Sequence, residues 1–443
     1  MVRVGIVSLG CPKNQVDSER MLALLRGEGF KVVKPSHAEV LIINTCAFIQ
    51  AATEESIECI LEACARPPRR GIIVAGCLPQ RYGKKLLTAV PEIDYAIGVG
   101  KCSMIADVVR RVNQGKKGID VSSPISASPP RERILLSPAH YAYLQIADGC
   151  SNKCSYCLIP SLRGAYRSRR LQLILGEATE LAERGVRELI LIAQDSALYG
   201  TDLYRAALLP RLLERLARID GIRWIRILYL HPAHITDQLI DVLADLEKVC
   251  KYVDMPIQHI SDRILSRMRR KVTSARIHNL VDSLKKKIPN VALRTTVMVG
   301  FPGERDEDFD ELLQFLEDSA FDAVGMFTFS PEEGTAAFTF DERVERQIAE
   351  ERTTTLQEVQ REISLQKNRQ RIGSSLEILI DERIGKGRWR GRAQFHAPDI
   401  DGVVYVTGSS VRRGSFVKVS VADADDYDLF ALHPGSGHCH SVL

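Results

Sequence analysis

Three cysteines stand within one short run, DGCSNKCSYC, and their spacing suits metal chemistry: Cys150, Cys154 and Cys157. Three thiolates in one loop can bind three corners of a cubane iron–sulfur cluster, whose full complement is usually four cysteines. One iron would then stay open for a substrate or a cofactor. Structural zinc is the alternative, but such sites normally close with four ligands in two pairs, and no second pair follows at finger or ribbon spacing.

Three further cysteines are far apart in the sequence: Cys11, Cys46 and Cys77. Each follows directly on a strand-like run, in VGIVSLGC, VLIINTC and IIVAGC. The carboxyl ends of parallel strands meet at one edge of a sheet, where ligands bind in open α/β folds. Any one of the three could be a buried apolar cysteine, which is a common core residue. Their shared position instead predicts a second group of three converging thiolates.

The five other cysteines have no such pattern and are interpreted as packing or surface residues: Cys59, Cys64, Cys102, Cys250 and Cys439. The first residues lack the long apolar stretch of a signal peptide. No run approaches the roughly 18 apolar residues of a membrane span. We therefore expect a cytosolic, cytoplasmic protein with no membrane contact, whose cysteines serve metal or redox chemistry instead of disulfides.

The elements that position the second cysteine set form a repeating pattern up to about residue 119. Strands are predicted at 2–7, 40–43, 72–75 and 95–99, and helices at 17–27, 54–65, 81–89 and 104–113. Asp17 and Ser18 are suitable caps for the first helix. Alternating strands and helices predict a parallel sheet, so we expect an N-terminal α/β domain at 1–121.

A Ser/Pro-rich stretch at 122–138 predicts a linker. Six strand-like runs separated by helical segments follow, at 143–147, 188–193, 224–228, 252–255, 292–298 and 323–329. They predict a partial or full TIM-like (βα) barrel in a domain at 138–370, ending in a charged helix at 345–371. Short strands at 376–432 predict a small β-barrel in a last domain at 371–443, with a mobile tail from 435. The fold class is thus α/β with three domains.

The net charge of the chain excludes few classes of partner. A net charge of +4 over 443 residues is too weak to indicate a nucleic-acid partner by itself. Over 375–443, eight Lys and Arg residues stand against nine Asp and Glu residues, a net charge of −1. RNA binding depends on clustered cations that displace counterions, so the last domain favours a basic protein partner, although 386–392 forms a local basic stripe.

The run around Cys150, with Tyr156 directly before the last cysteine, resembles the radical S-adenosylmethionine superfamily. In that superfamily the amino and carboxylate groups of the cofactor chelate the open iron. An electron from the cluster then cleaves the sulfonium, and the resulting radical abstracts hydrogen from an unactivated carbon. SLGCPKN, NTC and AGC resemble the N-terminal domain of methylthiotransferases, which implies a second cluster whose open iron binds the sulfur to be transferred.

The resemblance also implies a cofactor pocket, for which several residues at the ends of predicted strands are candidates. Gln194 and Asp195 would contact the methionyl amino group. Gly300 and Gly303 in MVGFPGE would allow close backbone approach, although a plain turn is the alternative. The other candidates are Tyr156, Gln258, and Arg294, which could reach the cofactor carboxylate or form a buried ion pair.

The detailed match is to the RimO-type methylthiotransferases, on SLGCPKNQVDSE, QDSALYG, LRGAYRSR, FSPEEGT and GRAQFHAPDIDG. It implies two 4Fe-4S clusters, S-adenosylmethionine, an electron donor such as flavodoxin or ferredoxin, a sulfur donor, and modification of the β-carbon of an aspartate in ribosomal protein S-twelve. The related transfer-RNA adenosine enzymes typically have Gln-Met-Asn after the first cysteine. Ser196 and Ala197 depart from threonines that are common in the family.

The last domain resembles the TRAM domain, which often binds RNA. A transfer-RNA adenosine methylthiotransferase is therefore the alternative enzyme, and a zinc-dependent ribosome-associated binding module is the alternative without catalysis. If the TRAM domain docks a protein loop, we expect it to present the aspartate over the barrel mouth at Cys150–Cys157.

Overall fold

The computed structural model describes residues 1–68, 70–122 and 132–434. Most of the predicted linker and the tail from 435, including Cys439, lie outside the described residues. The remaining chain forms an N-terminal parallel sheet, a partial barrel and a closed small barrel. The predicted α/β fold class is confirmed. Each helix in the described part of the chain is too short or too polar to cross a bilayer.

The N-terminal domain is a six-stranded parallel sheet with the order β2-β1-β3-β4-β5-β6. The strands are β1 (Arg3–Ser8), β2 (Lys31–Val32), β3 (Val40–Thr45), β4 (Gly71–Gly76), β5 (Tyr95–Ile97) and β6 (Gly118–Asp120). The helices are α1 (Pro12–Gly27), α2 (Gln50–Ala65), α3 (Cys77–Tyr82), α4 (Lys84–Ala89) and α5 (Ile105–Asn113). Two apolar clusters cover the sheet on its two faces, as the βα alternation predicts.

Two helix boundaries differ from those predicted. Helix α1 begins at Pro12 and not at Asp17, because proline has the φ that the first helical position needs and its missing N–H is not required there. Ser18 is buried within the helix, where its hydroxyl bonds Ser8. The helix predicted at 81–89 is divided into α3 and α4 by Gly83, whose φ is 54°.

The central domain places six parallel strands in two groups of three, β11-β10-β7 and β12-β13-β14. An isolated bridge between Ile225 and Val249 links the groups, giving a partial barrel. The strands are β7 (Tyr141–Gln145), β10 (Glu188–Ile192), β11 (Trp224–Ile227), β12 (Tyr252–Asp254), β13 (Ala292–Val299) and β14 (Ala323–Thr328). The short strands β8 (Ala147–Asp148) and β9 (Arg167–Ser168) pair beside the cysteine run.

Helices surround the partial barrel, and helix α1 of the N-terminal domain packs beside β7. Their apolar faces join the strands in the largest core cluster. The helices are α6 (Ile159–Arg163), α7 (Leu171–Glu183), α8 (Leu209–Ala217), α9 (Asp237–Asp245), α10 (Asp262–Arg267), α11 (Ser274–Lys287), α12 (Asp306–Ser319) and α13 (Arg346–Arg369).

The C-terminal domain is a closed barrel with the order β15-β16-β17-β19-β18. Its strands are β15 (Ser375–Gly385), β16 (Arg388–Arg392), β17 (Val404–Thr407), β18 (Phe416–Ala424) and β19 (Leu429–Leu432). It packs against the first residues of the central strands: Arg392 bonds Glu188 at 2.7 Å, and Phe416 lies edge-to-face on Trp224 at 4.8 Å. The small barrel therefore caps the amino end of the central strands.

This position corrects our expectation that the last domain presents a substrate over the cysteine loop. Cys150 follows the carboxyl ends of β7 and β8, at the opposite end of the central barrel. Sequence motifs could not reveal the docking side, because it depends on pairs such as Arg392 and Glu188, which are 204 residues apart. A substrate held by the last domain would have to extend along the barrel to reach the cysteines.

We expect Arg392→Met to weaken this junction strongly. Arg392 is 2% exposed and also bonds Asp381 at 2.8 Å, and removing one partner from a buried ion pair costs about 3–5 kcal/mol. Urea unfolding can be followed by fluorescence, since Trp224 and Trp389 are the two tryptophans. Arg390→Met is the matched control, because Arg390 pairs with Glu382 at the surface and such pairs contribute about 0–1 kcal/mol. Equal effects of the two variants would contradict the expectation.

Candidate functional site

The N-terminal cysteines lie at the carboxyl ends of three neighbouring strands. Cys11 stands between β1 and α1, Cys46 directly follows β3, and Cys77 directly follows β4 as the first residue of α3. Gly10, with a φ of 80°, allows the loops to touch: a Cβ atom on it would lie 2.5 Å from the Cβ atom of Cys46. The edge of the parallel sheet thus gathers these residues, which we call the N-terminal triad.

The electrostatics of the N-terminal triad show that its thiols lie near one another. The pKa of Cys77 is raised to about 12, chiefly by burial, and the charge of Cys11 acts in the same direction. The pKa of Cys46 is raised by burial first and by Cys11 second. The guanidinium of Arg163 acts in the opposite direction on both thiols. Thiols with raised pKa values release their protons when a metal binds them.

Cys150, Cys154 and Cys157, the barrel triad, occupy the loop between β8 and α6. Burial raises the pKa of Cys150 to about 11 and that of Cys157 to about 12, and the charge of Cys154 adds to both shifts. The Cys157 N–H donates to the Cys154 carbonyl at 3.2 Å. These three thiols also lie near one another, and three thiolates can bind three corners of a cubane cluster.

Arg163 connects the surroundings of the two triads. Its buried guanidinium donates to Asn14 at 2.6 Å and to Asp148 at 3.1 Å, so it bridges helix α1 and the strand before Cys150. It belongs to LRGAYRSR, but nothing in the residue pattern predicts that it faces the cysteines of another domain.

A cavity of about 790 Å³ opens at the carboxyl end of the central strands. Three of the predicted cofactor residues, Tyr156, Gln258 and Gly300, line it. The N-terminal domain contributes lining residues at the start of helix α2, including Phe48 and Gln50. A cavity of this size is suited to a small-molecule cofactor, and residues of two domains line it.

Gln194 and Asp195 follow β10 and carry unpaired acceptors. Oε1 of Gln194 and Oδ1 of Asp195 are buried without a hydrogen-bond partner. Oδ2 of Asp195 lies 2.6 Å from Nδ1 of His234 and accepts from Asn152 at 3.2 Å. The two unpaired oxygens fit the ammonium group of an amino-acid moiety, because buried acceptors ordinarily require donors. Asp195, His231 and His234 also offer ligand atoms within 4.8 Å of one another.

Two predicted cofactor residues lie elsewhere. Arg294 is held by Asp254 at 3.0 Å and by Asp401 at 3.3 Å, beside a different cavity of about 650 Å³ that borders the C-terminal domain. Arg294 thus forms the buried ion pair that the sequence analysis gave as the alternative to binding the cofactor carboxylate. The N–H of Gly303 donates to the carbonyl of Glu342 at 2.7 Å, along a shallow groove outside the 790 Å³ cavity.

Two buried cations near the triads were missed by sequence reasoning. Arg270 donates to the hydroxyl of Tyr156 at 3.1 Å, and its charge acts on the pKa of Cys157. Lys13 donates to the carbonyl of Ala193 at 3.0 Å, and burial lowers its pKa. Charged residues in runs such as MRRK usually lie on the solvated surface. The neighbouring sequence therefore does not indicate that these two side chains are buried.

Family comparisons match three consecutive regions of the chain. The models are described as "Uncharacterized protein family UPF0004" for residues 3–98, "Radical SAM superfamily" for 144–316 and "TRAM domain" for 372–432. Among solved structures, the radical S-adenosylmethionine methyltransferase TsrM from Kitasatospora setae has a TM-score of 0.57 at 14% identity, covering 74% of this chain and 73% of that one. At this identity the likeness shows the fold alone.

Two curated relatives match almost the whole chain, and both are named "Ribosomal protein uS12 methylthiotransferase RimO". The protein from Thermoanaerobacter sp. is 45% identical over 434 residues, which is 97% of this chain and 99% of the relative. The protein from Caldanaerobacter subterraneus subsp. tengcongensis is 46% identical over 434 residues, with the same coverage. With this identity over this length, the chain belongs to the RimO family of radical S-adenosylmethionine methylthiotransferases.

Proposed function

We propose that this methylthiotransferase modifies the β-carbon of an aspartate in ribosomal protein uS12, using two 4Fe-4S clusters and S-adenosylmethionine. The curated relatives carry uS12 in their names. The observation that carries the proposal is the pair of triads: each gathers three buried or half-buried thiols, and Arg163 connects their surroundings.

In this proposal each triad binds one cluster and leaves one iron open. When bound, the cluster at the barrel triad and S-adenosylmethionine supply the one-electron chemistry that removes hydrogen from an unactivated carbon. Oε1 of Gln194 and Oδ1 of Asp195 would accept from the cofactor ammonium, and Tyr156, Gln258 and Gly300 would border the cofactor.

The reaction replaces a hydrogen on carbon by a methylthio group, so the atoms must come from several partners. The methyl group comes from S-adenosylmethionine and the sulfur from a sulfur donor. A reductant of the flavodoxin or ferredoxin class supplies electrons. The family matches at 3–98, 144–316 and 372–432 lie within the domains we propose at 1–121, 138–370 and 371–443.

We expect the reconstituted enzyme to add one methylthio group to one aspartate of uS12 and to leave transfer RNA unmodified. The net charge of −1 over 375–443 is unsuited to an RNA backbone, so binding to uS12 should weaken only modestly with salt, without the steep slope of counterion release. Mass spectrometry of uS12 and of digested transfer RNA from one mixture measures both products.

Methylthioadenosine in the transfer RNA together with unmodified uS12 would identify the other branch of methylthiotransferases. A protein that binds zinc and takes up neither iron nor sulfide after anaerobic reconstitution would instead be the binding module without catalysis. Each result supports a different hypothesis, so these measurements distinguish the uS12 enzyme, the transfer-RNA enzyme and the zinc-binding module.

A further inference from the structure

Within the described residues, two buried cations differ from all others in lacking an acidic partner. Seven of nine buried Lys and Arg side chains have a carboxylate oxygen within 4.0 Å: Arg20, Arg133, Arg163, Arg169, Arg226, Arg352 and Arg392. Lys13 and Arg270 have none. Burying a charge without a partner is costly, so an anion from outside the chain is expected beside each.

No carboxylate of the described residues lies within ion-pair distance of Lys13. Its ammonium has three donors, of which one binds the Ala193 carbonyl at 3.0 Å. Its charge also lies 4.2 Å from the centre of the Tyr229 ring. The acidic groups nearby are already bound: Asp148 accepts from Arg163, and Asp254 accepts from Arg294 and from the Tyr229 N–H.

Lys13 also lies where the two domains meet. It is two residues beyond Cys11 of the N-terminal triad. Its acceptor, Ala193, directly precedes Gln194 and Asp195 at the carboxyl end of β10. In the proposed function the barrel triad serves hydrogen removal and the N-terminal triad serves sulfur transfer. The side chain to be modified must therefore reach the junction between the two domains.

We propose that Lys13 binds the carboxylate of the substrate aspartate, which selects an acidic side chain and positions its β-carbon between the two triads. This inference rests on the proposed function. In aspartate the carboxyl carbon is bonded directly to the β-carbon, so fixing the carboxylate leaves the β-carbon little freedom. Lys13 is thus a specificity-determining and positioning residue.

The cofactor is a second source of carboxylate, and the structure favours Arg270 as the cation near it. Arg270 bonds Tyr156 within the barrel triad loop at 3.1 Å, and its charge acts on Cys157. Lys13 stands two residues beyond Cys11 of the other triad. The two unpaired cations therefore lie near different triads, and Lys13 is the one left for the substrate.

A binding comparison tests this assignment. Holoenzyme is titrated with labelled uS12 and with uS12 in which the methylthiolated aspartate is replaced by asparagine, and fluorescence anisotropy gives the affinities. We expect the wild-type enzyme to prefer aspartate roughly 10- to 100-fold, as for hydrogen bonds between charged groups. Lys13→Met should bind both proteins equally, and Lys13→Arg should keep part of the preference. Lys34→Met, at an exposed lysine of the same domain, should keep all of it.

The affinity for S-adenosylmethionine and the iron content of each variant complete the test. Unchanged iron shows that the N-terminal triad is intact, and Lys13→Gln, which can still donate to Ala193, replaces Lys13→Met if iron is lost. A wild-type enzyme that modifies uS12 yet binds both forms equally overturns the inference and keeps the proposed function. So does a Lys13→Met enzyme that loses cofactor affinity but keeps the aspartate preference. Failure of the wild-type enzyme to modify uS12 removes both.

Discussion

Cys154→Ala is expected to abolish cleavage of S-adenosylmethionine and to lower iron content to about half, because one of two clusters would lose a ligand. The pKa values of Cys150 and Cys157 both respond to Cys154, so its sulfur lies near both of theirs. The backbone should stay in place, since Cys154 bonds Cys157 through its carbonyl and not its side chain. Deoxyadenosine formation and iron analysis after anaerobic reconstitution measure the two effects.

Cys250→Ala is the matched control for this variant. Cys250 is 1% exposed in the same domain but packs beside Trp224 and Tyr252 at the opposite end of the strands. It should keep full iron and full deoxyadenosine formation. Normal cofactor cleavage by Cys154→Ala would show that the barrel triad does not hold the reactive cluster.

The strands and the cysteines could be predicted from sequence because their signals are local. Each of Cys11, Cys46 and Cys77 directly follows a run whose apolar residues define a strand, and parallel pairing then brings the strand ends together. Cys150, Cys154 and Cys157 are close in the sequence, so a single loop is enough to bring them together. The cofactor residues Tyr156, Gln258 and Gly300 line the expected cavity, and their roles stay predictions.

What sequence could not supply depends on contacts between distant segments. Arg294 stands in a strand pattern, but its partner Asp401 comes from a domain 107 residues away. Gln258 has a φ of 72°, which only its surroundings can impose on a residue with a side chain. Lys13 is buried among distant segments: it donates to the carbonyl of Ala193, 180 residues away, and lies 4.2 Å from the centre of the Tyr229 ring.

Cys46→Ala is expected to separate the two halves of the reaction. Iron should again fall to about half, because one of two clusters is lost, but deoxyadenosine should still form under reducing conditions, since the barrel triad is complete. Methylthiolated uS12 should be absent. The loop should keep its shape, because Ser56 bonds the N–H and the carbonyl of Cys46 at 3.1 and 2.8 Å and not its sulfur.

The comparison of Cys46→Ala with Cys154→Ala distinguishes the loss of one particular cluster from a general loss of iron. Both variants lose the same share of iron, so a general loss of clusters cannot explain a difference between them, and only the variant with an intact barrel triad should cleave the cofactor. Cys59→Ala, at a half-buried cysteine of helix α2, should behave as wild type. Full iron and full product from Cys46→Ala would make Cys46 a core residue, and the N-terminal edge of the sheet would then have no part in handling sulfur.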